Sequence, residues 1–338
     1  MGLGFGLLSA QLRPGEIDWT RAYDDTVRLA VDAERLGFTS VWTTEHHFVD
    51  DGYMPSLAVV SAAIAAQTSE IEIGTGVLLA PLHHPLRLAE DAATVSLLSR
   101  GRFTLGLGLG WSTTEFRGLG APIRKRGKAM EEILQILPKA WSGVVFRHQG
   151  EVYDFPELAV RPNPTAKIPI LVGGGAEAAV RRAARLADGI FANVPPDQFL
   201  QQVAWLIDEC ERVDRDPAEM RIVHYSVILP ADSEDDAWAR YTDHLWHMTW
   251  KYSDMEVSAT RPGPPPAAPT MTEADREALA RRATIAGSSD QIVESLLDLR
   301  EKAGVPVEFA ARSYFATLDF QAQVELMTQL AEEVAPRI

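Results

Sequence analysis

Along the chain, short apolar runs alternate with longer stretches in which apolar residues recur every three or four positions. Eight runs have the length and unbroken apolar character of strands buried on both faces: residues 3–9, 40–44, 71–77, 102–107, 168–172, 189–192, 222–229 and 307–313. Between them lie amphipathic stretches with helical spacing, for instance 19–36, 86–98, 128–141, 176–186, 198–213, 289–303 and 321–334. Boundary chemistry agrees: Asp18 can cap the first helix, Gly37 can close it, and Ser289 with Asp290 can open the penultimate one. Strand then helix, repeated eight times, predicts an α/β chain folded as one (β/α)8 TIM barrel, a single domain over residues 1–338.

Two segments exceed the bare repeat. Residues 144–160, with Gln149-Gly150 between Val144-Val145-Phe146 and Val152-Tyr153, predict a hairpin inserted after helix four. Residues 232–284 follow the seventh strand, aromatic first (Trp238, Tyr241, Trp246, Trp250, Tyr252) and then proline-rich from Pro262 to Pro269. This segment predicts a mobile lid over the barrel mouth, where barrel active sites sit, or else a surface excursion packed on a partner subunit.

Composition narrows the class of partner. The 338 residues include 47 acidic against 32 basic side chains, a net charge of −15, so nucleic acid, whose binding needs a basic face, is not expected as a partner. A single cysteine, Cys210, rules out an intrachain disulfide and a cysteine metal cluster. No window approaches the roughly 18 apolar residues of a membrane span, and the opening Met1-Gly-Leu-Gly-Phe-Gly-Leu-Leu lacks the basic region of a secretory signal. The expectation is a soluble cytoplasmic protein with no membrane partner.

Three features carry candidate chemistry. Glu45-His46-His47-Phe48 leaves the carboxyl end of the second strand, pointing a carboxylate and two imidazoles into the mouth, and His83-His84-Pro85 follows the third. These five groups have metal-ligand chemistry, but no aspartate or histidine ends a later strand in an obvious ligand position, and no metal is expected. Next, Gly173-Gly174-Gly175-Ala176 joins a strand to a helix, so that converging amides and the helix start make either a phosphate seat or a plain turn. Arg181 and Arg182 can add to that seat or be simply solvated. Neither a G-x-G-x-x-G fingerprint nor a Walker loop is present. Finally, Gly106-Leu-Gly108-Leu-Gly110-Trp111 on the fourth strand and Gly74-Thr75-Gly76-Val77 on the third clear one face of bulk, leaving room for a planar ring or serving close packing of the barrel interior.

Taken in order, Glu45-His46-His47-Phe48, Gly74 to Pro85, Arg87-Leu-Ala-Glu-Asp91, Ser99-Arg-Gly-Arg-Phe103 and the Gly173 turn resemble the bacterial luciferase-like monooxygenases over most of the chain. The resemblance implies a barrel holding flavin mononucleotide (FMN), or in sister groups the deazaflavin coenzyme F-420, over the carboxyl ends of the strands. It implies further that His46 assists the oxygen chemistry, that Gly76-Val77 is a non-prolyl cis pair beneath the ring, and that Gly173 to Ala176 receive the phosphate. Gly108 stands where luciferase itself has a reactive cysteine, and the Val-Thr-Ser type of sequence of the alkanesulfonate branch is absent, so neither aldehyde luminescence nor sulfonate cleavage is implied.

The expected function is a two-component oxidoreductase: reduced FMN from a separate flavin reductase and O2 act on a small apolar carbonyl or hydrocarbon. His46 is expected to be catalytic, oriented by Glu45; Thr75, Gly76, Val77, Gly108, Gly110, Trp111, Gly173, Gly174, Gly175 and Ala176 are expected around the cofactor, with Trp111 and lid aromatics excluding water. The alternatives are hydride transfer with coenzyme F-420, a metal-dependent hydrolase and a non-catalytic flavin-binding protein. A homodimer through the helices after strands two and three is expected from the family.

Overall fold

The computed structural model describes residues 2–280 and 284–338. Eight parallel strands pair in sequence order: Leu3–Leu8 (β1), Ser40–Thr43 (β2), Glu72–Thr75 (β3), Phe103–Gly108 (β4), Ile170–Gly173 (β5), Gly189–Ala192 (β6), Arg221–Pro230 (β7) and Glu308–Arg312 (β8). β8 pairs with β1 in turn, Gly4 opposite Ala310, so the ring closes into the (β/α)8 barrel. All eight strands fall within a residue or two of the apolar runs. The third differs most: it stops at Thr75, passes through a cis Gly76–Val77 bond, and resumes as Leu78–Leu79 against β4.

Alternation along the strands, broken in β1 by a register shift between Phe5 and Leu8, sorts residues into two cores. Phe5, Val41, Ile73, Leu105 and Ile170 face the helices and build the large outer core with Leu29, Val60, Ile133 and Leu296. Leu7, Trp42, Leu171, Phe191, Val223 and Ala310 face inward and fill the barrel. Within it the Trp42 and Phe191 rings lie 4.5 Å apart, and Phe191 stacks on Tyr225 at 4.4 Å. Below this layer Arg221 donates to both Glu72 (2.7 and 3.1 Å) and Glu308 (2.8 and 2.7 Å), sealing the amino-terminal end with a paired charge.

Local signals set the helix ends. The Asp18 carboxylate accepts from the Arg21 amide at the start of Trp19–Arg35, and Gly37 leaves that helix at φ +87°. The penultimate helix, Ser289–Ala303, is capped by Ser288 and not by Ser289, because Gln291 three positions on completes a reciprocal capping box with Ser288.

Both long segments form regular elements among the described residues, and 281–283 of the second lie outside them. Phe146–Gln149 and Asp154–Leu158 form an antiparallel pair, held by the Glu132 carboxylate, which accepts from the amides of Glu151, Val152 and Tyr153 at 2.8 to 3.0 Å. After β7, the aromatic segment is a single 25-residue helix, Glu234–Ser258. It starts where Ser233 accepts from the Asp236 amide, with three acidic residues in the first turn. The proline-rich stretch then runs back along it, Pro269 accepting from Trp246 Nε1 at 2.7 Å. No helix among the described residues is long and apolar enough to cross a membrane.

Candidate active site

Glu45, His46 and His47 leave β2 at the mouth, but their partners differ from the expected pairing. His46 Nδ1 meets Glu115 Oε1 at 2.9 Å, and the same oxygen accepts from the His47 amide at 2.8 Å. A carboxylate can only accept, so the hydrogen sits on Nδ1, and Nε2 is left to meet a ligand. Glu45 does not orient His46. Its carboxylate is fully buried and accepts from the Leu79 amide, from His47 Nε2 (3.0 Å) and from His83 Nε2 (2.8 Å). Burial pushes the Glu45 pKa up, but the two histidines outweigh it and hold it at about 2. The same contact raises His83 against the effect of burial. Glu45 therefore ties the His47 turn to the His83 loop. The three side chains also make up a potential metal-ligand set, their donor atoms all within 4.8 Å of one another.

Glu115 comes from the short helix Thr113–Gly118 after β4 and is 2% exposed. Ser112 caps that helix by accepting from the Glu115 amide, so Ser112-Thr-Thr-Glu115 is a capping signature that also aims the carboxylate at His46. Around the imidazole stand Tyr53 (ring centres 4.8 Å apart), Tyr252 (5.6 Å) and Trp111 (6.0 Å), all edge-on. Tyr252 belongs to the long helix, and its hydroxyl lies 3.2 Å from that of Tyr53 and 2.9 Å from Arg312 Nη2. Burial pushes the Tyr225 phenol up to about 12 and raises Tyr53 well above its ordinary value, so both stay protonated.

The long helix is docked on both sides of His46. Lys251 pairs with Asp50 and with Asp254 (3.1 Å), and Arg261 pairs with Asp50 and Asp254, just beyond the His46 turn. On the other side Glu256 accepts from the Thr113 amide at 2.7 Å, gripping the start of the helix that carries Glu115.

The glycines of β3 and β4 do not leave an open face. A Cβ on Gly74 would lie 2.2 Å from the Trp42 indole, and one on Gly106 would lie 2.0 Å from the Thr75 carbonyl. Thr75 is fully buried and exchanges hydrogen bonds with Gly106 (2.7 and 2.8 Å), so it brackets two strands and does not face the mouth. Gly108 and Gly173 make room for Val77: a Cβ on either would come within 2.4 and 2.7 Å of its methyls. Close packing is the reason for these glycines. Its product is a half-buried Val77 standing on the inner core at the mouth end. Gly110, at φ +72°, turns the chain toward the exposed Trp111.

Beyond β5, Gly174 (φ +146°), Gly175 and Ala176 are exposed, and the helix Glu177–Leu186 has no side-chain cap. Beneath the turn Gln202 is fully buried, donating to the Gly174 carbonyl at 2.9 Å, and its Oε1 has no partner. Arg181 does not reach this seat. It is taken up by Glu177, Asp208 and Glu209.

Glu115, Tyr53 and Arg312 escape a linear reading of chemistry, and Tyr252 is read only as one of the lid aromatics. The capping pattern at Ser112 and a lone arginine inside the eighth apolar run were the available signals.

Comparison with known proteins places this geometry. An uncharacterized protein of Mycobacterium tuberculosis is 34% identical over 157 residues, 46% of this chain and 54% of its own; the chain thus spans about half the length of the curated relatives it matches first. The 4-hydroxyprotoasukamycin monooxygenase of Streptomyces nodosus subsp. asukaensis is 29% identical over 326 residues, 89% of this chain and 83% of that one. A deazaflavin (F-420)-dependent glucose-6-phosphate dehydrogenase of Kineococcus radiotolerans is 31% identical over 195 residues, 55% of each. Among solved structures, a monooxygenase from Streptomyces bottropensis superposes with a TM-score of 0.83 at 23% identity, covering 99% of both chains. The oxygenating constituent of 3,6-diketocamphane monooxygenase from Pseudomonas putida, in complex with FMN, gives 0.75 at 22% identity over 100% and 99%. Residues 4–306 match the luciferase-like monooxygenase family, and with the barrel and its mouth arranged as above the chain belongs to that family of oxidoreductases.

Proposed function

We propose that the chain is the oxygenase component of a two-component flavin monooxygenase, receiving reduced FMN from a separate reductase and using O2 on an organic substrate. Bound reduced FMN would supply the electrons that divide O2 between substrate and water. The residues present suit it. Val77 offers an apolar platform over a filled barrel, and the exposed amides of Gly174 to Ala176 at an uncapped helix start suit a phosphate.

The observation that carries the reading is the His46–Glu115 pair, buried beneath aromatic side chains at the mouth. Glu115 fixes the imidazole, so Nε2 can give or take a proton at the reacting oxygen. Tyr53, Trp111 and Tyr252 exclude water from that atom and offer apolar surface to the substrate skeleton. The names of relatives support the reading: the trigonelline monooxygenase of Acinetobacter baylyi, 26% identical over 223 residues, is called an oxygenase component.

Hydride transfer with coenzyme F-420 is the second reading, favoured by the Kineococcus radiotolerans relative. Anaerobic titration of the protein with reduced FMN and with reduced deazaflavin separates the two. Tighter FMN binding, with isotope from labelled O2 in the product, supports oxygenation; tighter deazaflavin binding with turnover in the absence of oxygen replaces it. Unchanged turnover in His46→Ala would remove the histidine from either mechanism.

The same reading includes a cytoplasmic homodimer. The helix Leu57–Gln67 is apolar around its whole circumference and leaves Val59 70% exposed, with Leu98 of the neighbouring helix Pro85–Leu98 at 53%. A second copy covering this face would bury both.

A further inference from the structure

The barrel interior holds two arginines, and their surroundings differ in kind. Arg221, at the closed end, is gripped by two carboxylates. Arg312 ends β8 at the open end, two residues beyond Ala310 and therefore on the same inward face. It is 9% exposed, and among the described residues it has no carboxylate within ion-pair reach. Its neighbours are phenols. Nη2 donates to the Tyr252 hydroxyl at 2.9 Å, the guanidinium carbon lies 5.4 Å from the Tyr252 ring, and Tyr53 shares that hydroxyl at 3.2 Å.

A buried cation is normally matched by an anion, because neutral hydroxyls do not offset the loss of hydration. Here no matching carboxylate stands within ion-pair reach among the described residues. The cleft beside the guanidinium, between Leu7, Ser9, Tyr53, Tyr252 and Tyr314, has a volume of about 20 Å³. That is room for roughly one water-sized group, the oxygen end of a ligand without its body.

We propose that Arg312, with Tyr252 and Tyr53, is a specificity subsite that takes an anionic oxygen, a carboxylate or phenolate, of the organic substrate. Topology separates it from the cofactor side. In a closed ring of eight, β8 stands opposite β4, whereas Val77 and Gly173 to Ala176 sit at the ends of β3 and β5. Tyr252 comes from the long helix, so the subsite is complete only when that helix is docked. The His46 ring lies 5.6 Å from Tyr252, which puts the held oxygen beside the proposed reaction centre. The inference rests on the flavin-oxygenase reading of the mouth, and it narrows the small apolar substrate expected from sequence to one with an anionic head.

The test titrates the intact protein by calorimetry with acetate, benzoate and 2-naphthoate, each against its uncharged amide, with and without bound FMN. At least a tenfold preference for the acid in one pair, lost in Arg312→Gln and partly kept in Arg312→Lys, is the expected result. Tyr252→Phe, which removes one hydroxyl and leaves the fold intact, is expected to weaken acid binding severalfold. No preference in any pair, or a preference that survives Arg312→Gln, overturns the proposal. So does a tenfold loss of reduced FMN affinity in Arg312→Gln with the acid preference intact, which would assign the guanidinium to the cofactor. Failure of wild-type protein to bind reduced FMN at all would sink the functional reading while the acid preference is still measured.

Discussion

Glu115 lies 69 positions beyond His46 in the chain, yet one of its oxygens accepts from both His46 Nδ1 and the His47 amide. That single atom fixes the tautomer, the ring and the backbone of the histidine turn together. Glu115→Gln keeps the shape but puts an ambiguous amide where a pure acceptor was. Loss of about 10- to 100-fold in kcat, with reduced FMN affinity within about threefold of wild type, is the expected outcome of a residue acting through its neighbour. A shift in the pH profile of kcat should accompany it, and an unchanged profile would reduce Glu115 to a structural role.

Glu45 is expected to matter for stability first. Its folded pKa of about 2 lies below the ordinary 4.5, so its stabilisation is present above pH 4.5 and is lost as pH falls toward 2. The shift corresponds to about 3 kcal/mol at most. Urea unfolding of Glu45→Gln should show a deficit at pH 6 that narrows between pH 5 and pH 3. A deficit that stays constant with pH would mean that packing, not charge, is lost.

Asp51 has the opposite sign. Burial raises it from 3.8 to about 6, so the folded state prefers the proton and is penalised increasingly as pH rises from 4 to 6. Lys251 and Arg261 face three carboxylates here, Asp50, Asp51 and Asp254, which is one negative charge too many once Asp51 ionises. Asp51→Asn is expected to stabilise the protein by about 1 to 3 kcal/mol at pH 8, with no difference below pH 4. Thermal melts at the two pH values check it.

The Val77 platform depends on two missing side chains. Gly108→Ala places a methyl 2.4 Å from Val77 Cγ2 and should cost about 1 to 3 kcal/mol by overpacking. Val77→Ala in the same chain should recover most of that cost, because the clash is with one methyl. A double-mutant cycle with no coupling would show that the backbone yields elsewhere.

If the helix Leu57–Gln67 covers its counterpart in a second copy, Val59→Glu buries a charge against an apolar face. Sedimentation should then show monomers where the wild type sediments as a dimer. Dimers of the variant, or monomers of the wild type, would move the interface or remove it.

By itself the sequence determined the barrel. Eight apolar runs alternating with amphipathic helices fit a closed ring of strands covered on both faces better than an open sheet, and both the runs and the helical spacing are written in neighbouring residues. The same local logic exposed His46 and the Gly173 turn, since both follow directly from the end of a strand. Only the tertiary structure decided which carboxylate serves His46. Glu45 is adjacent in sequence, but successive side chains leaving a strand point to opposite sides, and Glu45 turns to His83 while Glu115 arrives from the next loop but one. The meaning of the glycines was likewise hidden. Absence of a side chain says that something comes close, and whether it is Trp42, the Thr75 carbonyl or Val77 depends on strand register across the barrel. Arg312 shares its apolar run with Glu308, and that its guanidinium meets phenols while no carboxylate among the described residues reaches it is a property of the whole ring, which no stretch of sequence contains.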